Sequence, residues 1–405
     1  MKIEQTDINQ IRELFAQLES RDDLIVLLNV AKKILYGNEA SLIQLKSLTY
    51  YANPNFSPNR YSTFTVKKKS GGERTIHAPT KGLKSLLRVL NFILQCMSEP
   101  HRAATGFVPN KSIVDNARKH IEHHYVFNLD LKDFFHSFDR NRVKMAFMYE
   151  PFNLNGDKEP LAFLLACLVT HSIDIDGETK IVLPQGSPTS PTLTNIICKT
   201  LDRRLNGLAT RFGATYTRYA DDITFSSPHN VYNNEEFTNE LKRIIEDDQK
   251  LIINPKKTRL QNSRYRQEVT GLVVNKKVNV SRRYIKQIRM YLHFWEKYGL
   301  EKAQSILKKD YIADKGHIMK GEPNIENVLD GKLQFLKMVK GEDDSTYISL
   351  KKRYEKLVDA TDYITSILDT WEKEGIERAM SQYRYRNVKV IATFGNFVTI
   401  GNANK

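Results

Sequence analysis

The chain has 405 residues, 40% of them hydrophobic, and a net charge of +15, so it can build a core and favours polyanionic partners, either nucleic acid or an anionic membrane surface. No apolar run approaches the roughly 18 residues of a membrane span, and the N-terminus lacks the apolar core of a signal peptide. The three cysteines stand far apart in apolar runs, which argues against a disulfide or zinc framework and favours reduced thiols in a cytoplasmic protein.

The first part of the chain predicts helices followed by a basic hairpin. Apolar residues keep helical spacing over residues 1–50. Apolar and polar residues alternate over Tyr61–Lys67, which predicts a strand, and Ser70-Gly71-Gly72 predicts a turn. Arg74–Ala78 is then predicted to pair with the first strand. The cations at the tip of this hairpin are Lys67, Lys68, Lys69 and Arg74. On the residues alone, they are best explained as a solvated edge that lysines keep from aggregating.

Two further helices are predicted before the first apolar strand. Lys81–Met97 has the apolar spacing of an amphipathic helix. Lys111–His124 predicts another helix, in which Asn116 and His120 are four residues apart and share one face. That face could be plain solvent surface or could contact a ligand.

A buried strand is predicted to carry the first catalytic candidate. Val126–Leu131 is apolar and ends with the carboxylate of Asp130, and an aromatic-rich segment with Phe134 and Phe135 follows. Both rings could be core residues. One of two adjacent aromatics can also lie in the core while the other faces a site.

A loop with regularly placed Pro and Gly lies between the two candidate carboxylate segments. Leu183–Pro191 contains Gln185 and opens into a helical run, Thr192–Leu208. The start of a helix offers free backbone N–H groups to phosphates, so the loop is a candidate part of a phosphate-binding site.

Two adjacent carboxylates are predicted at the tip of a later hairpin. Tyr219-Ala220-Asp221-Asp222 stands between short runs that favour strands. The two carboxylates repel each other, and a divalent metal would resolve the repulsion, although an isolated pair is usually an ordinary acidic turn. Together with Asp130 they would form a carboxylate cluster suited to two Mg²⁺ ions, which clamp the attacking and leaving oxygens of a phosphoryl displacement.

The last third of the chain predicts a hairpin, basic helices and a second hairpin. Val269–Val274 and Val278–Val280 are predicted to pair. From Ser281 onward, basic residues alternate with aromatics in helical runs, a pattern typical both of helices that lie on a nucleic-acid duplex and of amphipathic helices with a buried aromatic face. Lys351–Ala379 predicts another helix, and apolar runs around Gly395-Asn396 predict a β-hairpin without a catalytic motif.

The order of three segments resembles the palm of reverse transcriptases. They are NLDLKDFF at 128–135, LPQGSPTSP at 183–191 and YADD at 219–222. Two further patterns, N-A-x-x-H at 116–120 and V-T-G at 269–271, resemble hallmarks of bacterial retron reverse transcriptases. The resemblance covers roughly residues 24–357 and fades beyond them.

The resemblance implies an α+β fold, a right-hand polymerase with fingers, a palm of antiparallel sheet plus helices, and a helical thumb. A short C-terminal extension would end in the β-hairpin. The expected domains are N-terminal helices and fingers at 1–125, the palm at 126–280, the thumb at 281–350 and the extension at 351–405.

The resemblance also assigns roles to single residues. The catalytic carboxylates would be Asp130, Asp221 and Asp222. Asp130 and Asp221, with the Leu131 carbonyl, would hold two Mg²⁺ ions, for which Mn²⁺ could substitute, and Asp222 would be a weaker or outer ligand. The incoming nucleotide would contact Lys68 or a neighbouring lysine, Arg74, Phe135, Gln185 and Lys257. Phe135 would lie beneath the sugar and reject a 2′-OH by steric clash. RNA or primer would contact Asn116, His120, Tyr219, Val269, Thr270 and Gly271.

The partners implied by the resemblance are nucleic acids and nucleotides. A retron enzyme copies part of a cognate structured non-coding RNA with dNTPs, begins its DNA on the 2′-OH of an internal guanosine, and leaves branched RNA–DNA. Such enzymes commonly act with an effector (toxin) protein in antiphage defence. No membrane partner is expected, and the sequence does not give the oligomeric state.

Other functions remain as alternatives at this point. The nearest is another bacterial reverse transcriptase, such as a group II intron-like, diversity-generating or abortive-infection enzyme. A two-metal nuclease is opposed by the fixed order of the palm segments. An RNA-binding scaffold with a dead site is opposed by the presence of all three aspartates.

Overall fold

The structure, a computed structural model, describes residues 4–67, 71–175, 177–315, 321 and 323–382. The chain divides into two units, Met1–Asn279 and Val280–Lys405. The hairpin predicted around Gly395-Asn396 lies outside the described residues, as do Lys68 and Lys69.

The first unit is built around a sheet of five strands with β3 at its centre. The strands of this unit are β1 (Tyr61–Lys67), β2 (Glu73–Pro79), β3 (Tyr125–Lys132), β4 (His171–Ile175), β5 (Glu178–Val182), β6 (Thr215–Tyr219), β7 (Asp222–Ser227), β8 (Ile252–Ile253), β9 (Arg259–Asn262), β10 (Glu268–Val269) and β11 (Leu272–Val273). The sheet has the order β6-β7-β3-β8, β9 also pairs with β3, and all these pairings are antiparallel. Three hairpins, β1-β2, β4-β5 and β10-β11, stand apart from it.

Helices pack around this sheet and bury its apolar face. They are α1 (Gln5–Ala16), α2 (Arg21–Tyr36), α3 (Leu45–Ala52), α4 (Lys81–Met97), α5 (Ile113–Arg118), α6 (Arg140–Met148), α7 (Glu159–Val169), α8 (Ser190–Ile197), α9 (Lys199–Arg211) and α10 (Glu235–Lys242). α4 has the predicted bounds, and its apolar stripe lies in the core because residues three and four apart share a helix face. The predicted α+β fold with an antiparallel sheet is confirmed.

Three predicted elements differ from the structure. The helix predicted for Lys111–His124 spans only Ile113–Arg118, and Glu122 has a positive φ of 62°. The helical run after the Gln185 loop is two helices, because Cys198 between α8 and α9 has ψ near 0° (4°). In the hairpin predicted for Val269–Val274 and Val278–Val280, the first strand itself turns between β10 and β11, and the predicted pairing is reduced to an antiparallel bridge between Val273 and Asn279.

The second unit is helical in its described part, as the composition after Ser281 predicts. It contains α11 (Arg282–Lys315), which breaks at Gly299 where φ is 82°, α12 (Ile325–Lys340) and α13 (Ser345–Glu374). Its core includes Tyr291 and Trp295, so part of the aromatic pattern is buried. Across the described residues, no helix is both long and apolar enough to cross a membrane.

Candidate active site

The sheet brings the predicted carboxylates to neighbouring positions. Asp130 of β3 and Asp222 of β7 are directly opposite each other in the antiparallel register, so their side chains project from the same face. Asp221 lies in the tight turn between β6 and β7, and its carbonyl accepts a hydrogen bond from the Leu131 N–H (3.1 Å). β3 and the hairpin therefore place all three aspartates at one end of the sheet.

A lysine from the segment after β8 neutralises the most buried of these aspartates. Lys257 Nζ lies 2.8 Å from Asp130 Oδ2, and the Asn254 side-chain amide donates to Asp130 Oδ1 (3.1 Å). The side chain of Asp130 is 8% exposed, whereas that of Lys257 is 54% exposed. The ammonium group of Lys257 therefore pairs with Asp130 and remains accessible to solvent and to a ligand.

The carboxylates of the hairpin carry unbalanced negative charge. Burial, followed by repulsion from Asp221 and Asp130, raises the pKa of Asp222 to about 6. Burial also raises the pKa of Asp221, with a further contribution from Asp130, while Lys257 and Arg74 act in the opposite direction. A site that raises the pKa of two carboxylates gains stability from an added cation.

The protein alone offers few carboxylates to a divalent ion. The part of the chain that the structure describes contains no group of three or more His, Cys, Asp or Glu side chains that could hold a metal ion. The available protein donors are therefore fewer, and the unbalanced charge at Asp221 and Asp222 remains. Few carboxylates supplemented by water and substrate phosphates are what Mg²⁺ prefers, so the residues present fit a divalent cation that substrate helps to hold.

An open pocket of about 510 Å³ lies over these aspartates. Its lining includes Asp130, Asp222, Tyr219, Lys256, Lys257, Arg259, Thr270 and Gly271. The lining thus combines three cations with two carboxylates, which suits a ligand that carries phosphates and a bound metal. The structure thus brings predicted primer-side residues and predicted catalytic residues to one cavity.

Of the described residues predicted to contact the nucleotide, Lys257 lines the pocket, and Arg74, Phe135 and Gln185 do not. Phe134 is buried at 4% exposure, whereas Phe135 is half-buried, so the two adjacent rings differ in burial although they lie on a short 3-10 helix, Phe134–Ser137, and not on a strand. Phe107 extends this aromatic surface, with ring centroids 6.4 Å from Phe135 and 6.3 Å from Tyr219. The Gln185 loop is fixed to β2, because the Gln185 carbonyl accepts from the His77 N–H (2.8 Å).

Asn116 and His120 do not form an exposed helix face, and the prediction that they contact RNA directly is wrong for this structure. They are 1% and 0% exposed. His120 lies beyond the end of α5, and its imidazole nitrogens lie 2.6 Å from Thr217 Oγ1 and 2.7 Å from Ser226 Oγ. The imidazole therefore joins β6 to β7 from the interior.

Two of the three residues of the V-T-G segment at 269–271 line the pocket. Val269 is fully buried, so its side chain offers no surface to RNA or primer, and the predicted contact of this residue with them stays a prediction. Thr270 and Gly271 form the turn between β10 and β11, with φ of 47° and 81°, and both line the pocket. A β-branched residue at positive φ is strained, and such strain is concentrated at functional sites.

A buried ion pair beneath the hairpin is the main feature that the sequence did not predict. Arg218 and Asp202 are both fully buried, and Nε and Nη2 of Arg218 each lie 2.7 Å from an oxygen of Asp202. Arg218 also donates to the Ala220 carbonyl in the turn (3.2 Å) and to Asn195 Oδ1 (3.1 Å). Burial lowers and the Asp202 carboxylate raises the pKa of Arg218, with a net upward shift.

Residues 103–106 contact the hairpin of β6 and β7 through backbone hydrogen bonds. The Arg218 N–H donates to the Ala103 carbonyl (2.9 Å), and the Thr105 N–H donates to the Arg218 carbonyl (2.8 Å). A Cβ at Gly106 would lie 2.6 Å from the Ala220 nitrogen, so only glycine allows this close approach. In the sequence, the one signal for these buried contacts is a charged residue, Arg218, within a run that favours a strand.

Comparison with known proteins finds similarity to reverse transcriptases over most of the first unit. Residues 66–280 match the family described as "Reverse transcriptase (RNA-dependent DNA polymerase)". The Mx65 retron reverse transcriptase of Myxococcus xanthus is 36% identical over 299 residues, covering 71% of this chain and 64% of that protein. The Ec86 retron reverse transcriptase of Escherichia coli is 38% identical over 240 residues, covering 58% of this chain and 69% of that protein.

These relatives are matched over part of their length. The chain spans 64% of the Mx65 enzyme and 52% of the Mx162 retron reverse transcriptase of Myxococcus xanthus, to which it is 37% identical over 258 residues. Among solved structures, a Candida albicans telomerase has a TM-score of 0.40 at 12% identity, covering 99% of this chain and 83% of that one. A foamy viral protease-reverse transcriptase has a TM-score of 0.33 at 16% identity, covering 74% and 43%.

Proposed function

Because the chain belongs to the retron reverse transcriptases, we propose that it is a cytoplasmic RNA-directed DNA polymerase that copies part of a cognate structured RNA. Synthesis begins on the 2′-OH of an internal guanosine and yields branched RNA–DNA. With an effector protein, this product serves in antiphage defence. We assign residues 1–125 to N-terminal helices and fingers, 126–280 to the palm, 281–350 to the thumb and 351–405 to an extension.

The observation that carries the polymerase proposal is the placement of Asp130 and Asp222 beside Lys257 in one open pocket, with Asp221 in the adjoining turn between β6 and β7. Asp130 and Asp221, with the Leu131 carbonyl, would hold divalent ions, with Asp222 as an outer ligand. Bound Mg²⁺ supplies neutralisation of the phosphate charge and activation of the attacking hydroxyl. The residues of this chain then act by positioning the reactants and stabilising charge.

The assigned residues divide between the triphosphate, the nucleotide and the primer. The attacking oxygen forms a bond to the α-phosphorus, and the bond to the leaving pyrophosphate breaks. Lys257 and Arg74 are exposed enough to meet the negative charge of the triphosphate. Lys68, from the hairpin tip, would join them. Gln185 contacts the nucleotide, and Tyr219, Thr270 and Gly271 contact the primer or the priming guanosine.

Phe135 should be the residue that excludes ribonucleotides. Its ring is half-buried beside Phe107, whereas the Phe134 ring is in the core. In Phe135→Ala the space beneath the sugar would accept a 2′-OH, so we expect extension with ribonucleotides alone, which the parent does not support. Phe135→Tyr is the matched control that keeps the bulk. If Phe135→Ala excludes ribonucleotides as well as the parent does, the assignment is wrong.

The whole proposal is tested by the nucleic acid that the protein makes. The chain is co-expressed with the RNA encoded beside it, and the nucleic acid that copurifies is sequenced before and after debranching. We expect DNA joined through a 2′–5′ linkage to a guanosine. Synthesis that occurs only from a supplied 3′ end would refute the retron mode of priming and leave a general reverse transcriptase.

A further inference from the structure

A basic groove lies on the first unit between α2 and α4. Four cations and a tyrosine are part of its lining, namely Lys32, Lys81, Lys84, Arg88 and Tyr36, around a volume of about 620 Å³. No carboxylate is among the lining residues. The groove shares no lining residue with the pocket over Asp130.

The spacing of the cations along α4 places them on one face of the helix. Lys81, Lys84 and Arg88 are exposed at spacings of three and four, while Leu83 and Leu87 between them are buried. α2 supplies Lys32 and Tyr36 at the same spacing of four. The Tyr36 ring is 51% exposed.

This arrangement is electrostatically unfavourable for the isolated protein. Like charges at i, i+4 such as Lys84 and Arg88 repel each other. Lys81 lies in the first turn of α4, where the helix dipole disfavours a cation, and that turn contains no acidic residue. Thr80 provides no side-chain cap for the first N–H groups of α4, so these donors add to the positive field. An ordinary solvated face would intersperse the two signs of charge, whereas this one is complementary to a polyanion.

We propose that this groove binds an unpaired stretch of RNA, with the phosphates on Lys81, Lys84 and Arg88 and a base stacked on Tyr36. The inference rests on the proposed function for the identity of the RNA. An exposed aromatic beside a row of cations suits single strands, because every base can stack on it and the backbone can follow the cations. The groove therefore gives the RNA a second attachment outside the catalytic pocket.

The test measures binding of a labelled oligouridylate to the full chain over a series of salt concentrations, without nucleotides. Each phosphate contact on a single strand contributes about 0.7 to the slope of log K against log salt, so Lys84→Gln/Arg88→Gln should lower that slope by about 1.4. Tyr36→Ala should weaken binding by about fivefold or more without changing the slope. Extension of a short annealed primer–template should remain at the parental rate in both variants.

The matched control is Lys33→Gln/Lys46→Gln, which removes the same charge from exposed positions outside the groove. Its slope should stay at the parental value. Equal slopes for the two double variants would overturn the proposal, as would parental affinity in Tyr36→Ala. Because the assay needs no polymerisation, failure of the groove is distinguishable from failure of the proposed polymerase activity.

Discussion

Asp221→Asn should abolish DNA synthesis, with a loss of about a thousandfold or more, while the fold and RNA binding remain intact. Asn keeps the size of the side chain but removes the charge that would hold the divalent ion. Because burial and Asp130 raise the pKa of Asp221, removing this carboxylate relieves repulsion and should not destabilise the fold. Single-nucleotide incorporation measures the rate, and thermal unfolding measures stability.

The other two aspartates provide an internal comparison for this experiment. Asp130→Asn should lose as much activity as Asp221→Asn, whereas Asp222→Asn should lose less if Asp222 is an outer ligand. Near-parental incorporation by Asp221→Asn would remove the basis of the site assignment. Equal loss in all three variants would instead place Asp222 among the inner ligands.

Arg218→Met should be the most destabilising single change near the site. It leaves the Asp202 carboxylate fully buried without its cation, with the Tyr216 hydroxyl still donating to it (2.7 Å), and breaking a buried pair in this way costs about 3–5 kcal/mol. Denaturant unfolding gives the free energy, and polymerase activity should fall with it because Arg218 also holds the Ala220 carbonyl in the turn.

Two further variants separate the ion pair from a general effect of losing an arginine. Arg211→Met removes a cation from the exposed pair with Glu236 and should change stability little, because solvent screens such pairs. Asp202→Leu/Arg218→Met removes both charges and should recover part of the loss. A parental free energy of unfolding in Arg218→Met would show that the pair does not stabilise the hairpin.

The sequence predicts that the three aspartates lie on a strand end and at a hairpin tip, because the signals for these positions are local. Asp130 follows an apolar run, and Asp221 and Asp222 interrupt two runs that favour strands, so alternation and turn residues locate them. Their convergence follows from the order of segments that the family shares. The antiparallel register that sets Asp130 opposite Asp222 is the tertiary consequence of those local patterns.

The buried contacts of His120 and Arg218 could not be predicted, because they join segments that are distant in sequence. His120 was placed on a helix face by its spacing from Asn116, yet the helix ends at Arg118 and the imidazole contacts residues about a hundred positions away. The partner of Arg218 is Asp202 on α9, and no local pattern pairs these two. Burial of a charged or polar residue is decided by its distant partners rather than by its neighbours in sequence.

His120 makes the hairpin of β6 and β7 sensitive to acid. Burial lowers the pKa of His120 from 6.5 to about 3, so between these values the unfolded chain binds a proton that the folded chain excludes. Each unit of pH lost in that window therefore weakens the fold by about 1.4 kcal/mol through this group alone. Protonation within the folded state would place a charge between Thr217 and Ser226, in the interior behind the strands that carry Asp221 and Asp222.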